Sequence, residues 1–551
     1  MPATTARWRP GTASFWEPLP EFRLTGPAIR PTFRPRSAPG EGAMTRRAAA
    51  LFLLMSLGLV TGGLRAQTVS VTTPLGGDPL VVEGFRGSEG ASALFSFTLD
   101  FAAMRGRVIP FDGLLGQDVT VTMTQANGSV RHFNGMVTRF SAGRLDTRAH
   151  YSMEFGPKAW LLTRRTTSRI FEQESVPVIV GRILDSVPGL AYEMRLASSY
   201  PDRNGVVQRN ETDFAFISRL LEDEGIFYFF RHDASGHVMV LADTPQGAGE
   251  IPGVKVYRTG TFLPPPPGSV IAWEKSQEIR SGKVTLQDHN FQLPGDNLEA
   301  QAVLQESVTA GAVEHHLTAG GAAALEQFDF PGGYAQRFDG IDPGGAEQPA
   351  ELAKIAPEGR RVATIRMQEE AAHALVIEGQ STAPDLAPGH LFTLGGVMAQ
   401  FNGKYYVTGV THKYTPSNTG SGGYSNTFRC IPSGLPYRPP RVTPKPALPG
   451  LETAVVIAPP GEEVFTDKYA RVKVKFAWDR TGQDPQGGGT TSCWVRVASP
   501  WAGAGSGTGS GPVILPRVGW EVLVAFEGGD PDRPIIVGSV YNADHPPPPE
   551  R

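Results

Sequence analysis

A short stretch near the C-terminal end constrains the fold more than any other part of this chain: residues 469–480, which read YARVKVKFAWDR. Apolar and basic side chains alternate along it with a period of two. Such a period places the two kinds of side chain on opposite faces, which predicts a half-buried β-strand. The apolar face would hold Val472, Val474, Phe476 and Trp478, and the basic face Arg471, Lys473 and Lys475.

Several more short apolar segments follow, separated by Gly and Pro. Residues 492–497 and 516–526 are further strand candidates, and a Gly/Pro turn at 528–534 leads into the last one. Short strands joined by such turns are typical of a small β-barrel. The Gly-rich segment 505–511 superficially resembles a phosphate-binding loop, but it lacks the Gly-Lys-Ser/Thr ending. We therefore interpret it as a flexible loop of the barrel.

Composition limits the class of protein. A chain of 551 residues suggests about three domains, and 65 Gly with 48 Pro favour a turn-rich β protein. The 51 basic and 54 acidic residues give a net charge of -3, so charge offers no global reason to expect nucleic acid or an anionic membrane as a partner. Cys430 and Cys493 are predicted to be two buried free thiols rather than a disulfide.

The first 66 residues are predicted to be a disordered extension. Residues 1–43 are rich in Pro and Arg, and a basic start at Met44 precedes the apolar run 48–60. That run is too short to span a bilayer but suits the core of a signal peptide, which makes 44–66 a signal-like segment. Two interpretations stay open: Met44 is the true start and a signal peptide follows it, or a misassigned start codon precedes an unremarkable apolar segment.

Residues 67–431 are predicted to form a β-rich region with some helix. Segments 116–123 and 131–140 flank an Asn-Gly turn signal and predict a hairpin. Apolar residues at helical spacing predict helices at 176–187, 210–225 and 359–374. In the second helix Thr212 is the expected N-cap and Gly225 the expected stop.

A proline-dense stretch, residues 432–449, is predicted to be an extended, semi-rigid linker. It separates the β-rich region from the barrel, which we place at 450–542. Residues 543–551 form a Pro-rich tail with no core of its own.

Several motifs resemble the VgrG family, the spikes of type VI secretion that are related to phage tail hubs. Residues 210–214 (NETDF) continue through 224–229 (EGIFYF) in the order of the family's longest signature. The segments TPLG at 73–76, FNGMVT at 133–138 and DHNF at 288–291 also fit. The resemblance covers about residues 69–542.

The resemblance implies a mainly β fold with some α (α+β), with a phage-hub-like β-barrel region followed by an OB-fold barrel. It also implies a homotrimer that caps an inner tube of Hcp-like rings. Further implied partners are baseplate proteins, a PAAR-like tip protein and cargo effectors, with transient contact with a target-cell membrane. Such a protein would be assembled in the bacterial cytoplasm and secreted through the type VI apparatus, although segment 44–66 leaves periplasmic export open.

The chain departs from the family pattern in one respect. Family members continue into a β-helix rich in Val-Gly repeats, whereas we expect no C-terminal β-helix needle in this sequence. Three alternatives to the type VI hub stay open: the hub of a prophage or extracellular contractile particle, an exported enzyme, and an exported binding module.

No catalytic, cofactor-binding or metal-binding residue is predicted. Adjacent His315 and His316 would point to opposite faces of a strand and cannot easily share an ion, so a solvated loop is expected. His232 and His237 are expected around a turn. The acidic run 222–224 is expected to be solvated or to lie at an interface, because consecutive helix residues do not face each other.

Nucleic-acid binding is not expected from the barrel, because its basic and aromatic side chains do not share a face. The basic face of residues 471–475 is instead expected to meet acidic patches of neighbouring subunits. The functional groups would then be interface and core residues, with four tryptophans as candidates: Trp478, Trp494, Trp501 and Trp520.

Overall fold

Strand residues (45%) far outnumber helical residues (16%) in the computed structural model, which confirms the predicted mainly β fold. The structure describes residues 67–76, 80–103, 108–125, 128–145, 148–245, 249–258, 266–396, 398–416, 423–480, 493–505 and 508–549. All of them lie in one unit, Leu64–Arg551. The extension 1–66, with its signal-like segment, lies outside the described residues. No described helix is both long enough and apolar enough to cross a membrane.

The first six strands form half of a twelve-stranded sheet. They are β1 (Thr68–Thr72), β2 (Val81–Gly90), β3 (Ala93–Ala103), β4 (Asp118–Thr124), β5 (Val130–Leu145) and β6 (Ala149–Gly156). The order is β1-β4-β5-β6-β3-β2, and β4 and β5 pair antiparallel as the predicted hairpin. Alternate side chains such as Phe85, Phe97 and Phe133 are buried, as a sheet with one covered face requires.

Two helices cover this half-sheet. The elements are β7 (Thr166–Glu174), α1 (Val176–Asp185), β8 (Ala191–Arg195), β9 (Arg203–Thr212), α2 (Asp213–Glu224), β10 (Phe227–His232) and β11 (His237–Ala242). Helix α2 begins and ends where the sequence predicts. The Oγ1 atom of Thr212 accepts a hydrogen bond from the Ala215 N–H (3.1 Å), and Gly225 follows in the left-handed conformation.

The middle of the chain contains a closed barrel of six strands. The elements are β12 (Glu250–Tyr257), β13 (Ser269–Gln277), β14 (Lys283–Leu286), β15 (Ala300–Val303), β16 (Ser307–Ala310), β17 (Val313–His316), β18 (Glu326–Asp329), α3 (Ile355–Ala374), β19 (Leu375–Ser381), β20 (Leu391–Gly396), β21 (Gly403–Thr415) and β22 (Gly423–Pro432). The order β21-β20-β12-β13-β19-β22 returns to β21, which closes the barrel. The later part of β21 also pairs with β2 and thereby joins the two half-sheets. Helix α3 begins four residues before its predicted start.

The terminal sheet contains five strands in the order β24-β23-β28-β29-β25. The last seven strands of the chain are β23 (Glu452–Ile457), β24 (Lys473–Phe476), β25 (Arg496–Val497), β26 (Gly503–Gly505), β27 (Thr508–Ser510), β28 (Glu521–Phe526) and β29 (Pro534–Val540). Strand β24 is shorter than the alternation predicts. The segment 505–511 was wrongly predicted as a loop, because its described residues enter the β26–β27 hairpin.

We expect Gly225→Ala to destabilise the protein by about 2–3 kcal/mol. The residue has φ +67°, and an added Cβ would lie 2.8 Å from Cγ2 of Ile365 and 3.0 Å from Cδ of Arg438. Gly236→Ala is the matched control, since nothing lies within 4 Å of its Cβ position. Urea denaturation of both variants checks the prediction, and equal losses would contradict it.

Candidate functional site

The terminal sheet packs against the rest of the chain along one contact surface, which we call the seam. On the other side of the seam lie β7, β9 and the loops around residues 288–292 and 339–347. A cleft of 130 Å³ opens into it, with walls that include Val207, Phe291, Asp339, Arg471, Trp494 and Asp532. The seam is the candidate functional site because it joins the two parts of the chain.

A buried ion cluster lies at the centre of the seam. The Nη1 and Nη2 atoms of Arg471 donate to Oδ2 and Oδ1 of Asp339 at 2.6 and 2.9 Å, a bidentate pair. The Nε atom of Arg471 donates to Oδ2 of Asp467 (2.6 Å). Arg471 is only 3% exposed. Since removing either partner would leave a charge buried without compensation, this cluster fixes the terminal sheet to the loop that carries Asp339.

An aromatic ring sits between two cations beside this cluster. The guanidinium groups of Arg471 and Arg496 each lie 5.1 Å from the ring centroid of Phe291. Asp288, three residues earlier, accepts hydrogen bonds from the N–H groups of Tyr334 and Ala335 (both 2.9 Å). In the segment DHNF at 288–291, the first residue therefore holds the loop in place by hydrogen bonds, and the last residue contacts the terminal sheet.

Further polar contacts extend the seam along β9. Nη2 of Arg209 donates to Oε1 of Glu452 (2.8 Å), and Nε1 of Trp478 donates to the other carboxylate oxygen (2.6 Å). The Val207 N–H donates to Oδ1 of Asp532 (2.7 Å). These bonds connect β9 to β23 and to the turn before β29, so the seam holds the sheet at several separated points.

Two ionisable side chains, Glu172 and Lys473, lie close together in the seam, but no ion pair joins them directly. Burial raises the pKa of Glu172 to about 7, while nearby Lys473 lowers it and Asp479 raises it. Burial also lowers the pKa of Lys473, whose Nζ lies 5.3 Å from the ring centroid of Trp494. The cation faces an aromatic ring here rather than solvent.

The predicted linker is fastened along much of its length, and we call residues 437–445 the strap. Tyr437 is buried, and its ring centroid lies 5.2 Å from that of Phe227. The Nη1 atom of Arg438 donates to the main-chain oxygens of Gly225 (2.9 Å) and Asp243 (3.0 Å). The strap therefore begins by docking on the end of α2.

The second half of the strap reaches the terminal sheet. The N–H groups of Val442 and Thr443 donate to Oε2 of Glu222 at 3.1 and 2.9 Å, and Oγ1 of Thr443 donates to Oε1 (2.7 Å). The Nζ atom of Lys445 then contacts Asp530 (2.5 Å) and Asp532 (2.6 Å). The strap thus runs from α2 to the turn before β29 with polar anchors at both ends.

The acidic run at the end of α2 was wrongly predicted to be solvated. Glu222 and Glu224 are buried, and Glu222 holds the strap. Burial would raise the pKa of Glu224, but Arg203, Arg337 and Arg361 outweigh burial and hold that pKa well below its usual range. The run lies at an interface between elements of this chain, since all of these partners belong to it.

The basic face of residues 471–475 was also wrongly predicted to meet neighbouring subunits. Arg471 and Lys473 are both buried inside this chain, against Asp339 and Trp494. The alternation correctly indicates two chemically different faces. It gives no information about what covers the basic face. Asp339, on the other side of the seam, lies more than a hundred positions earlier in the chain.

The four candidate tryptophans divide into two pairs. Trp494 is buried, and its Nε1 donates to the main-chain oxygen of Asp342 (2.8 Å), while Trp478 is half-buried at Glu452. Both belong to the seam. Trp501 is 72% exposed and Trp520 is 37% exposed, so neither is a core residue of this chain.

A second buried polar cluster lies in the first half-sheet. Oε1 of Glu89 contacts Nη2 of Arg131 (3.0 Å) and Nε2 of His412 (2.9 Å), and His232 lies 3.7 Å from Oε2. Burial would raise the pKa of Glu89, but Arg131 and the two imidazoles hold it well below its usual range. Sequence patterns gave no indication of this cluster, since its members come from four strands.

His232 and His237 flank a turn, as predicted, but their rings are not in solvent. The Lys158 N–H donates to Nε2 of His237 (3.1 Å), so this nitrogen carries a lone pair. Nδ1 then donates to Oδ1 of Asn134 (2.7 Å). The two bonds fix the neutral tautomer, and burial lowers the pKa of His237 to about 4, with His232 adding to the shift.

The remaining candidates show no convergent chemistry. His315 and His316 lie in strand β17 rather than in a loop, and Nδ1 of His315 contacts Oε1 of Gln277 (2.9 Å). Within the described ranges, no three His, Cys, Asp or Glu side chains are grouped to hold a metal ion. Cys430 and Cys493 are free thiols, the first buried and the second half-buried.

Two family models match the chain and together cover most of the described residues. The model described as phage tail baseplate hub matches residues 88–418. The model described as type VI secretion system/phage-baseplate injector OB domain matches residues 463–541. The first matches most of the two half-sheets and the second most of the terminal sheet.

Curated relatives from Pseudomonas aeruginosa are similar over most of this chain. The type VI secretion system spike protein VgrG1b is 35% identical over 493 residues, which is 87% of this chain and 61% of that protein. The spike protein VgrG1a is 36% identical over 492 residues, 87% of this chain and 70% of that one. The chain therefore spans less than two thirds of the length of VgrG1b.

Two solved structures share the fold. The Escherichia coli c3393 protein, a type VI secretion component with structural similarity to the phage T4 tail proteins gp27 and gp5, matches with a TM-score of 0.56 and 23% identity. That match covers 86% of this chain and all of the other. The Francisella PdpA–VgrG complex matches with a TM-score of 0.53 and 9% identity, over 87% of this chain and 72% of that chain.

We expect Asp339→Ala to cost about 3 kcal/mol, because it leaves the buried guanidinium of Arg471 with one carboxylate instead of two. Glu463→Ala, which breaks an exposed pair with Arg517, is the matched control and should cost less than about 1 kcal/mol. Urea denaturation followed by Trp fluorescence measures both. Similar losses in the two variants would show that the buried cluster does not hold the seam.

We expect acid to destabilise the fold between about pH 6.5 and pH 4. His237 has a pKa of about 4 when folded and about 6.5 when unfolded, so the unfolded state binds the extra proton in this window. His237→Gln, which retains a donor and an acceptor, should remove up to about 3 kcal/mol of this loss. His316→Gln is the surface control. An unchanged pH slope in the His237 variant, measured by denaturation from pH 4 to 8, would contradict this prediction.

Proposed function

This chain belongs to the VgrG spike-protein family of type VI secretion systems, and we propose that it acts as the hub and spike base of such an apparatus. The observation that carries the proposal is the continuous attachment of the OB-type sheet to the hub-like sheets. The buried Arg471 cluster and the strap fasten the two at separate points. A spike that is pushed from behind needs such attachment, since a free hinge would bend under axial force.

The proposed mechanism is mechanical. The curated relatives are named as spike proteins, and the charged side chains of the buried clusters around Arg471 and Glu224 pair with one another. Arg471, Glu222 and Glu224 are each held by several polar partners within the chain. We infer that these residues serve cohesion and that the chain does not act as an enzyme.

We infer the domain organisation from the same evidence. Residues 67–431 would form the hub-like region, 432–449 the linker and 450–542 the OB-fold domain. The extension 1–66 and the tail 543–551 would flank them. The three separate groups of buried apolar residues, two in the hub-like region and one in the terminal sheet, support this division.

We infer a homotrimer held partly by the segments that flank the strands of the terminal sheet. Large apolar side chains are exposed to solvent there, which is energetically unfavourable for a monomer. The most exposed are Trp501, Val513, Ile514 and Tyr541. These residues offer the apolar centre that a subunit interface requires. Assembly in this way would leave the seam inside each subunit.

The remaining partners follow from the proposed role. A hub of this type would sit on tube rings of the Hcp-like kind, bind baseplate proteins, accept a PAAR-like tip and carry effectors. The VgrG of Francisella has been solved in complex with PdpA. The chain would be assembled in the cytoplasm, secreted by the apparatus and brought into brief contact with a target membrane.

A second candidate is the hub of a phage-derived or extracellular contractile particle. Both family models carry phage baseplates in their descriptions. The two candidates share the same mechanics. They are distinguished by deleting the type VI sheath gene in the source bacterium: release of this chain into the medium would stop for a type VI spike and continue for a separate particle.

We expect the full chain to be a trimer in solution by light scattering. The double variant Trp501→Ser/Ile514→Ser should weaken assembly at least about 30-fold, since buried aromatic anchors dominate interfaces. Phe328→Ser, which changes an equally exposed ring on the sheet of β14, β15 and β18, is the matched control and should leave the mass unchanged. A wild-type chain that stays monomeric at all concentrations would contradict the proposed assembly.

A further inference from the structure

A polar cavity of 320 Å³ lies apart from the seam, between α3, the end of α2 and the start of the strap. Its walls include Tyr200, Glu224, Arg360, Arg361, Gln368 and Arg438. Three of these six side chains are guanidinium groups and one is a carboxylate. The sequence motifs gave no indication of this cavity, although its walls bring together four separate parts of the chain.

The one carboxylate of the cavity, that of Glu224, already accepts hydrogen bonds from three arginines. Oε1 of Glu224 accepts from Arg203 and Arg337, and Oε2 accepts from Arg361. Arg361 also donates to Glu358 through Nε (2.8 Å) and Nη2 (2.7 Å). Glu224 therefore has no free position from which to neutralise a further cation in the cavity.

Two guanidinium groups of the cavity have no carboxylate partner. Arg360 is exposed and makes no ion pair with any residue that the structure describes. Arg438 donates only to neutral oxygens, the carbonyls of Gly225 and Asp243 and Oε1 of Gln368. Its Nη2 makes no hydrogen bond within the described chain, nor does Nε2 of Gln368. Donors from α3 and from the strap are thus left open to the same space.

The other acids near the cavity are committed elsewhere. The carboxylate of Asp243 accepts from the N–H groups of Ala197 (2.9 Å) and Ser198 (2.7 Å) and from the hydroxyl of Tyr200 (3.0 Å). Glu369 accepts from Arg441 on the strap. Burial lowers the pKa of Arg438 and Arg361 lowers it further, while Tyr200 and Asp243 act in the opposite direction. An anion placed between Arg360 and Arg438 would favour the charged form of both guanidinium groups.

We propose that this cavity binds a small oxyanion, a carboxylate or a phosphate group, between Arg360 of α3 and Arg438 of the strap. Planar guanidinium groups bind both kinds of anion through paired N–H···O bonds, and the amide of Gln368 adds a neutral donor. The bound anion would join α3 to the strap through charge-assisted hydrogen bonds. The ligand site is independent of the proposed spike function, since neither trimer assembly nor secretion enters the argument.

Calorimetric titration of the full chain with inorganic phosphate and, separately, with succinate tests this proposal and distinguishes the two anion classes. Ionic strength is held constant with sodium chloride. We expect saturable binding of at least one probe and an affinity at least tenfold weaker in Arg360→Ala. This variant should fold normally, because the side chain has no partner to lose, and circular dichroism verifies this. Arg360→Lys should bind with intermediate affinity, since it keeps the charge and loses the paired donors.

Arg517→Ala is the matched control, as it removes an exposed arginine from the terminal sheet. It should bind like the wild type. The proposal is overturned if neither probe binds saturably, if Arg360→Ala binds as well as the wild type, or if Arg517→Ala loses as much affinity as Arg360→Ala. A preference for phosphate over succinate, or the reverse, identifies the anion class.

Discussion

The arrangement of the terminal sheet depends on one buried charge cluster. Arg471 lies between Asp339 and Asp467, and all three side chains are buried and therefore poorly solvated. Removing such charges from water costs several kcal/mol for each ion, and only close and well-directed partners offset that cost. The members of the cluster can therefore move little relative to one another. This restriction defines the geometry of the seam more sharply than apolar packing alone would.

The same principle recurs at the end of α2. Glu224 binds three arginines from β9, from the loop before α3 and from α3 itself, while Glu222 binds the strap. One turn of helix thus organises elements that are far apart in sequence. The cap and stop residues of α2 matter beyond the helix, because they decide where these two carboxylates point. Local helix geometry and long-range cohesion are linked at this position.

Much of the fold could be predicted from local patterns. The caps at Thr212 and Gly225 and the β4–β5 hairpin depend on neighbouring residues, and the structure confirms them. The seam could not be predicted in this way. Arg471 and Glu224 look like surface residues to any local rule, since most of their partners are distant: Asp339 lies 132 positions from Arg471, and the arginines around Glu224 lie from 21 to 137 positions away. The motif at 288–291 lies at the seam, but as a sequence pattern it gave no geometry.

The strap has a property that matters for experiment. Glu222 holds it largely through main-chain N–H groups, and the side chain of Val442 is turned outward into solvent. The identity of that side chain contributes little to the attachment. A cysteine placed there would carry a fluorophore or spin label on a fixed backbone. Position 442 is thus a suitable labelling site for spectroscopic distance measurements across the seam.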